Sequence, residues 1–323
     1  MHGQIFIFMI LEKEGVLVIR LTDFERKTSD PVTVEYISTP SGNVPVYGVR
    51  SFHSLTQLIG FGKYMNKDQC NVYLRGQTSL YGGHMSPSAL RPKKIPGTDD
   101  FEPINYEKRI SDYKNRIHES LVQTKSFNKW NKNTIEPLLQ HYGVRTNWID
   151  IVDNVWVALW FSLHNTKSTI VDAREYIHIS ESSPDQYGYI FLMGCDAVKE
   201  DESQPGVYVG DTTMVVDLRK AVPSFFLRPH AQHGLMLRKR STNSSDYADY
   251  SDKIIAIAKI SAADGLKWIG QTGLLSVQSL FPPPFYDTGY ACLMNEYKRA
   301  KGCENIGIKN YIQLYGSIQD ITY

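Results

Sequence analysis

The chain has 323 residues, enough for one large domain or two small ones. Lys and Arg number 35 against 34 Asp and Glu, a formal net charge of +1, which excludes a polycation held on nucleic acid by bulk charge. Hydrophobic residues at 42% and charged residues at 21% fit a globular fold and exclude disorder.

The first 50 residues read as β-rich. Ile5–Leu11 and Val16–Leu21 are apolar runs parted by Glu12-Lys13-Glu14-Gly15, a hairpin pattern. Ile5–Leu11 is too short to span a membrane and lacks the flanks of a signal peptide. Val32–Ser38 alternates and runs into the turn residues Pro40-Ser41-Gly42-Asn43. Ser51–Lys63 predicts a helix with Phe52, Leu55, Leu58 and Ile59 on one face. Asn71–Gln77 reads as a strand, and residues 78–100 as a loop rich in Gly, Pro and Ser. Tyr106–Gln123 reads as a helix inside a basic stretch. Val152–Leu163 is apolar nearly all round, the pattern of a buried central helix that Asp150 or Asp153 can cap. Tyr187–Met193 and Lys253–Ile260 are apolar runs of strand length. Phe225–Leu237 reads as a strand interrupted at Pro229, and Ser241–Asp252 as a polar loop. The segment from Phe281 opens with three prolines, Pro282-Pro283-Pro284.

Cys70, Cys195, Cys292 and Cys303 are widely spaced, which predicts free thiols in a reducing cytoplasm. The 20 Tyr, with 13 Phe and 5 Trp, suit a polar-tipped aromatic core or a cleft that stacks planar ligands. No phosphate-loop, dinucleotide G-x-G-x-x-G, H-E-x-x-H, EF-hand or G-x-S-x-G motif occurs.

Three constellations carry chemistry. In Tyr73-Leu74-Arg75-Gly76-Gln77 an Arg ends a strand beside a Gly. Such a fork suits a phosphate or carboxylate, or pairs with an internal acid. Ser86–Arg91 adds hydroxyls and Arg91. Gln140, His141, Tyr142, Thr146 and Asp150 crowd one short loop, with Gly143 as a helix stop. So many polar groups need partners, either one another or a ligand. Arg228-Pro229-His230-Ala231-Gln232-His233 holds two His, but Pro229 argues against the helix that would align them as metal ligands, and no metal is expected.

These segments resemble the FRG family. Tyr73–Gln77 is similar to the motif that names it, and Ser86–Arg91 to its P-S-L-x-R segment. Leu139–Asp150 resembles its L-Q-H-Y-G-x-x-T-x-x-L-D signature, and Val157–Phe161 the V-A-L-x-F helix. Arg228–Leu235 and Leu280-Phe281-Pro282 resemble its late elements. Arg145 replaces the usual Pro, and Trp148 and Ile149 replace common Leu residues. The Tyr-x-Arg-Gly strand also resembles the first motif of arginine-type ADP-ribosyltransferases.

That resemblance implies an α+β fold with an ADP-ribosyltransferase-like split, mostly antiparallel sheet around the buried helix. Residues 1–50 form a β-rich subdomain and 51–323 the FRG domain. It implies NAD as substrate. Arg75, His141, Asp150 and Gln232 are the catalytic candidates. Tyr73, Arg75, Gly76, Gln77, Tyr81, Arg91, Gln140, Tyr142 and Thr146 are the binding candidates. Arg75 would grip the pyrophosphate or ribose, His141 and Thr146 would line the nicotinamide-ribose pocket, and Tyr142 or Tyr81 would stack on nicotinamide. Gln232 falls at the late catalytic position but is neutral, so Asp150, or less directly Glu296, would have to face the cationic ribose. The acceptor would be nucleic acid or protein, as for a toxin or anti-phage defence effector. The basic residues of Lys108–Lys132 and Arg238-Lys239-Arg240 would guide it. The alternatives are a non-catalytic module that senses a nucleotide or phosphate, and a hydrolase or nuclease using the late His cluster.

Overall fold

The computed structural model describes residues 18–28, 30–91, 132–171, 174–240, 249–270, 272–299 and 310–311. The expected hairpin up to residue 17, the basic helix Tyr106–Gln123, most of the Ser241–Asp252 loop and Cys303 lie outside them.

The chain begins with a hairpin, β1 (Thr33–Thr39) and β2 (Gly42–Val49), joined at the predicted turn. Helix α1 (Phe52–Asn66) follows, with the Ser51 hydroxyl capping the Ser54 N–H. Strand β3 is Asn71–Gln77, as predicted. Helix α2 (Lys132–His141) ends before Gly143, whose φ is +100°. Then come β4 (Ile149–Val152), α3 (Val155–Leu163), β5 (His164–Val171), β6 (Arg174–Glu181) and β7 (Tyr187–Cys195). Short strands β8 (Lys199–Glu200) and β9 (Val207–Val209) lead to β10 (Thr213–Asp217), α4 (Leu218–Ala221), α5 (Leu227–Ala231) and β11 (Gly234–Lys239). The rest is β12 (Ile254–Ser261), α6 (Ala262–Ile269), α7 (Val277–Leu280), α8 (Thr288–Arg299) and β13 (Asn310–Tyr311).

The fold is α+β. One ten-stranded sheet has the order β1-β2-β12-β7-β3-β4-β11-β10-β9-β8, and only β2 and β12 run parallel within it. A second sheet has the order β13-β6-β5. The expected boundary at residue 50 falls between β2 and α1, and β2 is hydrogen-bonded into the large sheet through β12. The central strands read as continuous apolar runs because both faces are buried. Along β7, Ile190 and Leu192 join the core that holds α1 and α3, while Phe191, Met193 and Cys195 join the core on the opposite face.

The two halves of the large sheet meet at β3 and β4 through one paired position, Leu74 opposite Val152. Beyond that pair the strands are not joined. Arg75 and Gly76 stand on one side of the gap, Asp150 and Ile151 on the other.

Two readings need correction. The buried helix begins at Val155, not Val152, because residues 149–152 extend as β4 between β3 and β11. Its cap is therefore neither Asp150 nor Asp153 but Asn154, whose Oδ1 accepts from Trp156 N at 2.9 Å and Val157 N at 3.2 Å. The late segment is not one broken strand. Pro229 lies in the first turn of α5, where its missing N–H costs nothing, and β11 starts only at Gly234.

Candidate functional site

A cavity of about 690 Å³ opens at the gap between β3 and β4. Its lining includes Arg75, Gly76, Arg91, Gln140, His141, Asp150 and Gln232 from the expected set. Ser88, Arg145, Phe161, Thr166 and Phe281 complete much of the wall. Residues far apart in sequence thus converge where two strands part, and such a concave mixture of polar and aromatic groups is the usual form of a small-molecule site.

Arg75 reaches across the gap and donates from Nη1 to the Asp150 carbonyl at 2.6 Å. The same nitrogen lies 3.9 Å from the Asp150 carboxylate. Its Nε is buried and has no hydrogen-bond partner among the described residues. Burial lowers the guanidinium pKa to about 10, against the opposing pull of Asp150, so the group stays cationic at neutral pH. Next to it, Gly76 is a steric necessity: a Cβ there would collide with the Ala158 carbonyl of α3. The Arg-Gly pair therefore joins a charge at the cavity to the close seating of the buried helix.

The loop after α2 supplies the opposite wall. Gln140 organises it. Its Oε1 accepts from Thr146 N at 3.0 Å, Thr146 Oγ1 at 2.8 Å and Ser88 Oγ at 3.2 Å, while its Nε2 donates to Asp150 Oδ2 at 3.4 Å. Thr146 Oγ1 in turn accepts from Trp148 N at 3.1 Å. His141 Nδ1 lies 3.4 Å from Asp150 Oδ1. Burial would raise the Asp150 carboxyl. The hydrogen bond from His141, then Arg75 and Gln140, outweigh it and hold the group below its ordinary value. The carboxylate is enclosed by protein groups yet 44% exposed, because it faces the cavity. Gln232 closes another side, with Nε2 donating to the Leu280 carbonyl at 2.6 Å.

The other expected residues stand elsewhere. Thr146 is buried and serves Gln140, and neither it nor Tyr73 nor Gln77 lines the cavity. Tyr81 is 56% exposed beyond the lining, with the Arg91 guanidinium 5.9 Å from its ring. Tyr142 is fully buried. Its hydroxyl donates to Asp287 Oδ2 at 2.6 Å, and its ring packs 4.4 Å from the Arg228 guanidinium. Nicotinamide therefore cannot reach that ring without rearrangement of the core. Of the late cluster, Arg228 points into this core, and His233 sits 3.1 Å from Arg219 and 3.3 Å from Asp153. Among the described residues no group of His, Cys, Asp and Glu is placed to hold a metal ion. The side chain of Glu296 on α8 lies outside the described residues.

Sequence reading missed Asp287, Asn154 and Thr166 as parts of this region, and named Phe161 only within the Val157–Phe161 helix motif. Of the three missed, Asn154 carried a signal, since Asn is as good a cap as Asp.

Residues 70–169 match the family model described as the FRG domain. Comparisons with curated proteins and with solved structures gave no match. Among the described residues no helix is long and apolar enough to cross a membrane.

Proposed function

From the premise that this chain carries an FRG domain at residues 70–169, we propose that the cavity binds NAD and cleaves its nicotinamide–ribose bond, in the manner of an ADP-ribosyltransferase. The observation that carries the reading is the facing of Arg75 and Asp150 across the gap, a buried cation and a cavity-facing carboxylate in one site.

Each supplies something the reaction requires. Departure of nicotinamide leaves an oxocarbenium-like ribose, and a fixed carboxylate stabilises that charge. Asp150 is held ionised by His141 and Arg75 and is free of any helix-capping duty. A dinucleotide also brings a pyrophosphate. The Arg75 guanidinium, with Arg91 and Arg145 also lining the cavity, suits it. Asp150 thus takes the charge-stabilising role that neutral Gln232 cannot fill. The parting of the sheet at β3 and β4 also supports the split-sheet reading.

The acceptor is less well supported. The basic stretch Lys108–Lys132 lies largely outside the described residues. Arg238 and Lys239 are paired with Glu136 and Asp252.

The experiment is nicotinamide release from NAD by the purified chain. Wild type should release it, and Arg75→Ala and Asp150→Asn should each fall by about 10²-fold or more. A wild-type protein that binds NAD but releases none would establish the second reading, a non-catalytic nucleotide sensor. The neutral Gln232 at the late position favours that alternative. Neither binding nor release would dispose of both.

A further inference from the structure

We propose that the nucleophile at this site is water, activated by His141 as general base, so that the chain hydrolyses NAD to ADP-ribose. The inference rests on the NAD reading above and narrows its acceptor.

The argument starts from the tautomer. An ionised carboxylate only accepts hydrogen bonds, so at the His141–Asp150 contact the proton belongs to His141 Nδ1. In the neutral ring this leaves the lone pair on Nε2. That atom is buried and has no hydrogen-bond partner among the described residues. The imidazole lines the cavity and its side chain is 3% exposed. A buried, unpaired acceptor that is oriented through its other nitrogen is the arrangement of a general base.

The surroundings restrict what it can serve. Gly234 packs against the ring: a Cβ there would lie 2.7 Å from Cε1 and 3.0 Å from Nε2. Space for the imidazole exists because residue 234 has no side chain, and little access remains at Nε2. As it stands Nε2 is closed even to a water molecule, so a nucleophile reaches it only through a small opening beside Gly234, and water, the smallest, needs the least. A carboxylate acceptor would need no base at all, whereas an O–H nucleophile must lose a proton as it attacks.

The step balances. A water oxygen forms a bond to the ribose C1′ while the bond from C1′ to the nicotinamide ring nitrogen breaks. That electron pair stays on the nitrogen, and nicotinamide leaves neutral. The water proton passes to His141 Nε2, and the resulting imidazolium lies against the Asp150 carboxylate.

The test uses the full chain with labelled NAD, alone and with total protein and RNA added as acceptors. Wild type should yield nicotinamide and free ADP-ribose in equal amounts, with no label on protein or RNA. His141→Gln should lose about 10²-fold or more in kcat with little change in KM. Azide, an anionic nucleophile that needs no base, should restore nicotinamide release by this variant and give the azide adduct. A merely structural role would not produce that rescue. Label on protein or RNA in place of free ADP-ribose overturns the inference and leaves NAD cleavage standing. So does a folded His141→Gln that works at the wild-type rate. Should the variant not fold, the wild-type product balance decides. Absence of any nicotinamide release removes the NAD reading itself.

Discussion

Two arginines and two aspartates sit on either side of the α2–β4 loop and are treated in opposite ways. Arg228 is fully buried, 4.4 Å from the Tyr142 ring and 4.7 Å from Tyr290. Nearby Asp287, also fully buried, accepts from Tyr142 Oη at 2.6 Å, Arg228 N at 3.0 Å and Tyr290 N at 2.9 Å. Every contact there holds one element to another. Arg75 and Asp150, by contrast, both line the cavity. Their side chains come no closer than 3.9 Å, and the Asp150 carboxylate turns to the open space. A charge committed to packing stabilises the fold. A charge left partly unsatisfied beside a cavity is a place for a ligand.

The contrast breaks most readily at the arginines. Arg228→Ala leaves a hole among three aromatic rings and should cost about 3 kcal/mol or more in urea unfolding. Arg75→Ala loses the bond to the Asp150 carbonyl and should cost about 1.5–3 kcal/mol, less than Arg228→Ala, while abolishing nicotinamide release. Comparable losses of stability in the two variants would erase the distinction. Tyr142→Phe removes one hydrogen bond to a buried carboxylate and should cost about 1.5–3 kcal/mol, with NAD affinity unchanged if the ring lies outside the site. Burial, and then the Asp287 charge, raise the phenol well above its ordinary pKa, so it remains a donor across the working range.

A smaller effect separates the capping residue from its acidic neighbours. Asn154→Ala should cost about 1 kcal/mol through loss of the α3 cap, whereas Asp153→Ala should leave that cap intact. Amide hydrogen exchange at Trp156 and Val157 reads the difference directly.

The smallest effect is in pH. The native Asp150 carboxyl lies below its ordinary 3.8. The stability it contributes is therefore complete above that pH and fades as pH falls through the lower native value. Thermal unfolding of wild type and Asp150→Asn should converge only in that acid range. Convergence near neutrality would mean that His141 and Arg75 do not hold the carboxylate ionised.

Much of this was legible along the chain, for physical reasons particular to each element. Asn71–Gln77 is short, apolar and bounded by turn residues, so local pattern decided it. Helix α1 announced its apolar face, while Ser51, read as its first residue, caps it. Leu139–Asp150 advertised a polar cluster, and Gln140, His141 and Asp150 from it, with Arg75 and Gly76, do line the cavity. Val152 was misread as the start of the apolar helix because it continues that pattern, and Asp150 as part of a loop. Only pairing with β11 makes them a strand. Pro229 misled because its cost depends on its place in a helix, which local sequence did not show.

The sequence by itself therefore determined which residue types are able to carry chemistry, and the match of residues 70–169 to the FRG domain. Charge, hydroxyl and imidazole are properties of single residues, and their spacing survives in one dimension. Only the tertiary structure decided their duties. Tyr142 and His141 are adjacent in sequence, yet one enters a sealed core and the other a cavity. That division depends on Asp287 arriving from the far end of the chain, and on β3 and β4 parting after a single pair. Burial is a relation among distant segments, and no stretch of sequence states it.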